Sequence, residues 1–459
     1  MEFLKTYFKI EERGSKIGTE LIAGLTTFLA MAYILPVNSL MLSATGMPIG
    51  GVFFATAVAA AIATLIMGFF ANYPVALAPG MGLNAFFTYT IVFSYGLSWQ
   101  AALAAVLISG ILFFIVSISG LRKMIINAIP QGLKFAVGAG IGFFITFIGL
   151  TNAGIIVSNP ATFVALGNLE HPTVLLGVFG IVLVVILYSI GNKFSLIISI
   201  AVTAIIGLIL GALGVDMMPA YNAGEMGGLF SGTKETAFAA FSGFGELFNH
   251  PEVFGIIFAL WFVDFFDTAG TLMAVGNQAG LVDDKGELVG SDKALIADSI
   301  GTMSGALLGT SNVTSYIESA TGIEQGGKTG LTSVTVGVLF LLSLLIYPLL
   351  SVVNGVVVGF NDFGDAIVYS PVTSMALVMV GALMITQLKN INWEKKEIVI
   401  PAFLTIVFMI LSYSIATGIA VGFIFYPIIM IAQRRWREVN PMMYALSLLF
   451  LVAFITGSL

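Results

Sequence analysis

Asp264 and Asp267 stand three residues apart in FALWFVDFFDTAGTL, an otherwise apolar stretch, and Glu318 falls near the end of the polar run GTSNVTSYIES. A spacing of three sets two side chains on one face of a helix, so the two aspartates address the same space. Carboxylates that close in a low-dielectric setting resist ionising together, and a pair that keeps one proton between them suits a proton-coupled carrier. Glu318, one turn into a helix beginning near Tyr316, would sit at the positive end of that helix dipole and face Asp264. A carboxylate only accepts hydrogen bonds, so it would hold a cargo presenting N–H groups. Asn84, in VALAPGMGLNAFF, takes the corresponding place in an earlier segment. Its amide offers a donor and an acceptor, which suits a heterocycle with mixed edges. Asp298 lies nearer the end of its own segment, and its expected role is structural, paired with Ser, Thr or Lys293.

The elements that must position these residues follow from composition. Of 459 residues 58% are hydrophobic and 9% charged, with mean hydropathy +1.04. Soluble chains carry about 25% charged residues, so the solvent here is lipid. The net charge of −6 and scattered basic residues exclude the concentrated basic face of a nucleic-acid binder. With no Cys, disulfides and thiolate metal sites are excluded; two His leave little for haem or zinc, and no cofactor is expected. The opening MEFLKTYFKIEERGSKI reads as an amphipathic lead-in, not a cleavable signal.

Apolar stretches near the roughly 20 residues of a spanning helix fall at 18–43, 50–71, 75–94, 98–119, 132–151, 173–190 and 194–214, then at 253–280, 292–309, 310–323, 330–351, 371–388, 398–414 and 416–433. A further run, 441–457, is long enough to span or to lie against the bundle. On this assignment only Asp264, Asp267, Asp298 and Glu318 are acids within spans, and such residues mark functional sites by default. With the N-terminus inside, every Lys and Arg except Lys234 falls on the inner side, as the positive-inside rule requires; this predicts a multi-pass protein of the cell (inner) membrane with a cytoplasmic N-terminus. Because seven is odd, a second copy of a seven-span unit must be inverted relative to the first. Inverted repeats bind cargo where paired segments are interrupted near the midplane. The third segment of each half fits: Pro79, Gly80 and Gly82 break the first, and Ser, Thr and Asn side chains that compete for backbone bonds break the second. The expected fold is therefore an all-α polytopic membrane protein of 14 segments, with extended pieces and half-helices in segments 3 and 10.

Other patterns carry less. GIEQGGKT at 322–329 spells a phosphate-binding loop, but such a loop works between a strand and a helix of a soluble α/β unit, and here it joins two spans. Asn312-Val-Thr spells a glycosylation site at membrane depth, where none is used. His171 and His250 lie beside Pro in outer loops and read as solvated. An intramembrane aspartyl protease needs its acids on different helices within hydrogen-bond reach, which Asp264 and Asp267 are not. An anion carrier of the same architecture, for sulfate or bicarbonate, would exploit half-helix N-termini, but three acids at the midplane disfavour it.

APGMGLNAFF at 78–87, FVDFFDTAGTL at 262–272 and GTSNVTSYIESATGI at 309–323 resemble the AzgA-like purine permeases of the nucleobase:cation symporter-2 superfamily, over nearly the whole chain. The resemblance implies a uracil-permease-like fold with a core domain (1–119 and 253–351) and a gate domain (120–214 and 352–433), an outer loop at 215–252 and a C-terminal segment at 434–459. It implies a transporter, not an enzyme, that takes up adenine, guanine or hypoxanthine with a proton; a uracil or xanthine carrier is the alternative within the fold. The family's purine-binding residues fall on Asn84, Asp264 and Glu318, with backbone groups of Tyr316 and Ile317 helping to hold the ring and Asp267, with Glu318, serving the proton. Relatives pair through their gate domains, which leaves a homodimer open.

Overall fold

The computed structural model describes residues 2–119, 128–221, 226–283, 288–360 and 366–455; Arg122, Lys123 and Lys285, counted above on the inner side, lie outside the described residues. Each of the fourteen expected segments coincides with a helix or with a strand followed by a half-helix. Among the described residues nine helices are long and apolar enough to cross a membrane, from Ile17–Ser43 to Ile415–Ala432. In lipid every backbone N–H and C=O needs a partner within the protein, which leaves helices as the default.

The two interruptions are where that default fails. Strand β1 (Leu77–Pro79) leads into a half-helix, Met81–Ala85, that continues as π-helix over Phe86–Ser94. Further along, β2 (Ile156–Asn159) pairs with β3 (Phe163–Leu166). Strand β4 (Val313–Ser315) precedes the half-helix Ser319–Glu324. Then β5 (Val356–Phe360) pairs with β6 (Ala366–Tyr369). Both hairpins come from stretches read above only as loops, where β-branched runs meet turn residues. The membrane-depth strands satisfy each other: β1 and β4 pair antiparallel with Leu77, Ala78 and Pro79 opposite Ser315, Thr314 and Val313. Tyr316 N–H to Ala76 O (2.9 Å) and Gly80 N–H to Asn312 O (3.0 Å) extend the ladder at each end.

Helices then cover this crossing. The helix Ile49–Ile66 packs on Ser291–Leu308 and Gly330–Leu342, and Trp99–Ser119 packs on Ser291–Leu308 and Val253–Gln278. Separately, Gln131–Asn152 packs on Ser374–Ile385 and Lys396–Leu411. The region between the halves contributes two helices, Met226–Thr236 and Ala240–Asn249, and the first lies so close to Ile49–Ile66 that a Cβ on Gly51 would stand 2.5 Å from Gly232 O.

One count needs correcting. Two further acids fall within those bounds: Asp292, exposed in the first turn of Ser291–Leu308, and Glu20, fully buried in Ile17–Met31. Its carboxylate accepts from Lys328 N (3.0 Å), Thr329 N (3.2 Å) and Thr332 Oγ1 (2.6 Å), at the N-terminus of Gly330–Leu342. With Gly330 N–H donating to Asn72 Oδ1 and Leu331 N–H to Thr329 Oγ1, the amides opening that helix are satisfied. The amides of GIEQGGKT that a phosphate would need are thus held by an internal carboxylate. The histidines also depart from expectation: both are half-buried, and His250 sits between Tyr95 O (3.2 Å) and the Glu252 carboxylate.

Candidate functional site

The β1–β4 crossing gathers the acids and amides singled out by the sequence. Gly80, extended at φ −76° and ψ 126°, turns the chain from β1 into Met81–Ala85, and Asn84 follows fully buried. Its Oδ1 accepts from the Ser311 hydroxyl, and its Nδ2 is buried with no partner among the described residues. On the long helix Val253–Gln278, Asp264 is fully buried, where Oδ2 accepts from Thr302 Oγ1 (2.8 Å) and Asn312 Nδ2 (2.9 Å) and Oδ1 has no partner among the described residues. Asp267, one turn further, is half-buried and within hydrogen-bonding reach of the Thr314 hydroxyl on β4.

Glu318 does not sit one turn into its half-helix. It precedes Ser319 as the N-cap residue, because the chain needs Tyr316 to finish the β-ladder before it can coil. Its Oε1 accepts from the Tyr33 hydroxyl at 2.6 Å. Asp264 is not bonded to it but is held by Thr302 and Asn312. The ladder also alters the expected backbone contacts. The Tyr316 N–H is spent on Ala76 O and its C=O accepts from Ser319 N, while its hydroxyl donates to Pro79 O at 2.5 Å. Ile317 is exposed, and its N–H has no backbone acceptor among the described residues.

Asp298 pairs as its structural reading required, accepting from Thr268 Oγ1 (2.7 Å) and Ser315 Oγ (3.1 Å); Lys293 Nζ lies over the Phe70 ring instead, 5.3 Å from its centroid. No group of His, Asp or Glu among the described residues is arranged to hold a metal. Four residues escaped the sequence reading: Tyr33, Thr302, Ser311 and Asn312. A signal existed for Thr302, four residues after Asp298 and so on the same helix face; a tyrosine inside an apolar span gives none.

Three contacts join the helices around the crossing to those around Gln131–Asn152. At one end Lys193 Nζ meets Glu324 Oε2 at 2.6 Å, and Lys134 Nζ lies 5.0 Å over the Phe266 ring. At the other Thr90 Oγ1 donates to Tyr413 O (3.3 Å).

Comparison with known proteins agrees with this geometry. The sequence model of the Permease family (Xan_ur_permease) matches residues 18–421. The chain is 45% identical to the guanine/hypoxanthine permease PbuG of Bacillus subtilis, covering 98% of this chain and 99% of that one. It is 40% identical to the adenine permease AdeP of Escherichia coli, covering 98% and 96%. Among solved structures, the transmembrane domain of the cyanobacterial bicarbonate transporter BicA superposes with a TM-score of 0.60 at 15% identity, covering 88% of this chain and 96% of that one, which shows the shared fold. By its sequence the chain belongs to the Permease family, as an AzgA-like purine permease of the nucleobase:cation symporter-2 superfamily, and it is an integral multi-pass membrane protein.

Proposed function

We propose that the chain imports purine nucleobases together with protons, by alternating access, across the cell (inner) membrane with its N-terminus in the cytoplasm. The observation that carries the reading is the juxtaposition of an unpartnered amide donor, Asn84 Nδ2, with unpartnered carboxylate acceptors around one strand crossing. Buried polar atoms left unpaired are costly, and a flat, uncharged ring bearing both N–H groups and ring nitrogens satisfies both kinds. An anion would meet Asp264, Asp267 and Glu318 and be repelled. The names of PbuG and AdeP point the same way.

In this reading Asn84, Asp264 and Glu318 hold the purine, with the Ile317 amide as backbone donor, and Asp267 with Glu318 carries the coupled proton. The core (1–119 and 253–351) moves against the gate (120–214 and 352–433), a division supported by the separate packing of the two helix groups. The purine rides the half-helices; the gradient supplies the drive and no ATP is consumed.

The test is uptake of labelled hypoxanthine into proteoliposomes containing only this protein, with an imposed inward proton gradient and unlabelled adenine, guanine, uracil or sulfate as competitors. Gradient-dependent uptake blocked by purines but not by uracil or sulfate is the expected result. Carriage of uracil or sulfate with no purine uptake would overturn the assignment of Asn84, Asp264 and Glu318.

A further inference from the structure

Tyr33 occupies the break in the first span, between the helices Ile17–Met31 and Ile34–Ser43. The break has a covalent cause. Pro36 has no N–H with which to continue the ladder to Ala32 O, and Leu35 N–H bonds that carbonyl instead, at 3.2 Å. The resulting turn brings Tyr33, 1% exposed, onto Glu318. A phenol has one hydrogen to donate, and here it goes to Glu318 Oε1 at 2.6 Å. Hydrogen bonds to a charged acceptor are short and strong, so a second donor reaching that oxygen has to share it with the phenol. Among the described residues no other side chain donates to the carboxylate, so Oε2 carries no side-chain competitor for cargo.

That asymmetry matters for cargo with more than one N–H on an edge. Hypoxanthine presents one ring N–H on its six-membered ring. Guanine presents the same N–H with an exocyclic amino N–H beside it, spaced to engage both oxygens of a carboxylate. A Glu318 whose Oε1 is shared with the phenol gains little from guanine's second N–H and treats the two rings nearly alike; one with both oxygens open favours guanine. We propose that Tyr33 is a specificity-determining residue, which weakens the second of the two contacts Glu318 can make with guanine and so holds guanine and hypoxanthine on nearly equal terms. This rests on the purine reading above and goes beyond it to a residue outside the half-helices.

The experiment compares binding of hypoxanthine and guanine to purified wild type and Tyr33→Phe in lipid nanodiscs. Phe keeps the ring that fills the break and removes only the donor. The expected result is a shift of the guanine-to-hypoxanthine affinity ratio toward guanine by about tenfold in the variant, the size associated with gaining a charged hydrogen bond. A packing role alone would weaken both purines by the same factor, and that outcome, or an unchanged ratio, overturns the proposal. The wild type supplies a second test that needs no variant: its two affinities should agree within about threefold, whereas a preference for guanine beyond about tenfold would show both oxygens already in use and overturn it. Binding of neither purine by the wild type would instead sink the purine reading, a result distinct from all of these.

Discussion

The Ser311 hydroxyl donates to Asn84 Oδ1 across 227 residues of sequence, tying the half-helix of the first repeat to the polar segment that leads into the strand of the second. The bond orients the Asn84 amide. With Oδ1 occupied, Nδ2 is the group left to donate, and it is buried without an acceptor.

Asn84→Asp keeps the shape, and Ser311 can still donate to the new side chain, but the second donor is lost. Purine affinity should fall about 10-fold to 100-fold, the cost of leaving a buried partner group unmade. Competition for hypoxanthine binding measures it, and Ser311→Ala, which frees the amide to rotate, should cost less. Equal affinity in Asn84→Asp would remove Asn84 from the site.

Asp267 is the half-buried acid of the pair, whereas Asp264 is held on one oxygen by Thr302 and Asn312. Asp267→Asn should therefore abolish accumulation driven by a proton gradient while sparing exchange of internal for external purine, which needs no net proton movement. Asp264→Asn should abolish both, because its one carbonyl oxygen would stay with Thr302 and Asn312 while an NH2 donor replaced the oxygen left to accept a purine N–H. Parallel gradient-driven and counterflow assays on the two variants separate the roles; identical losses in both assays for Asp267→Asn would contradict the assignment.

Lys193 and Glu324 form an ion pair between the loop after Pro172–Ser189 and the end of the half-helix that follows Glu318. Exposed pairs contribute about 0–1 kcal/mol to stability, so Glu324→Lys should leave the melting temperature nearly unchanged. It should nevertheless slow transport several-fold, through repulsion between two lysines at this contact, and Lys193→Glu in the same chain should restore the rate. The hydrogen bond from Lys193 holds the Glu324 carboxyl below its ordinary value of 4.5. A lowered carboxylate contributes above its ordinary range and loses its contribution as pH falls through its lowered one, so the pair should act unchanged from neutral pH down to about 5. Rates of wild type and the double variant across that range should run in parallel.

Glu20→Ala should destabilise the protein by about 1.5–3 kcal/mol, the scale of hydrogen bonds to a buried charged group, because Lys328 N–H and Thr329 N–H lose their acceptor. Glu20→Gln, which keeps an acceptor oxygen, should cost less. Thermal melts in detergent rank the two; a Glu20→Ala protein as stable as wild type would mean that water replaces the carboxylate at this helix end.

The fourteen segments were legible because lipid demands long apolar stretches, and the two broken ones because Pro79 and the Ser/Thr/Asn run at 310–315 cannot continue a helix. Asn84, Asp264 and Glu318 stood out as polar groups in those stretches. What escaped were relationships between distant residues. Glu20 lay inside the first expected span without being counted among its acids, and only the fold shows the helix end it caps three hundred residues later. Tyr33 reads as packing until Pro36 bends the first span toward Glu318. Tyr316 was expected to offer its amide to cargo, but the partner that takes it, Ala76, lies in the other repeat, and no spacing within one segment announces such a pairing.

The β1–β4 ladder also imposes an order on biogenesis. When the first half of the chain has entered the bilayer, β1 is complete but its partner has not been synthesised, so the edge of Leu77–Pro79 has no strand to bond. Bare backbone in hydrocarbon costs several kcal/mol per group. The early segments must then wait in a provisional arrangement, with β1 held near water, near the insertion machinery or on Thr64, whose hydroxyl bonds both Leu77 N and Leu77 O. The cargo site is consequently among the last parts of the molecule to come into being, and a nascent chain stalled before Val313 has no site to assemble.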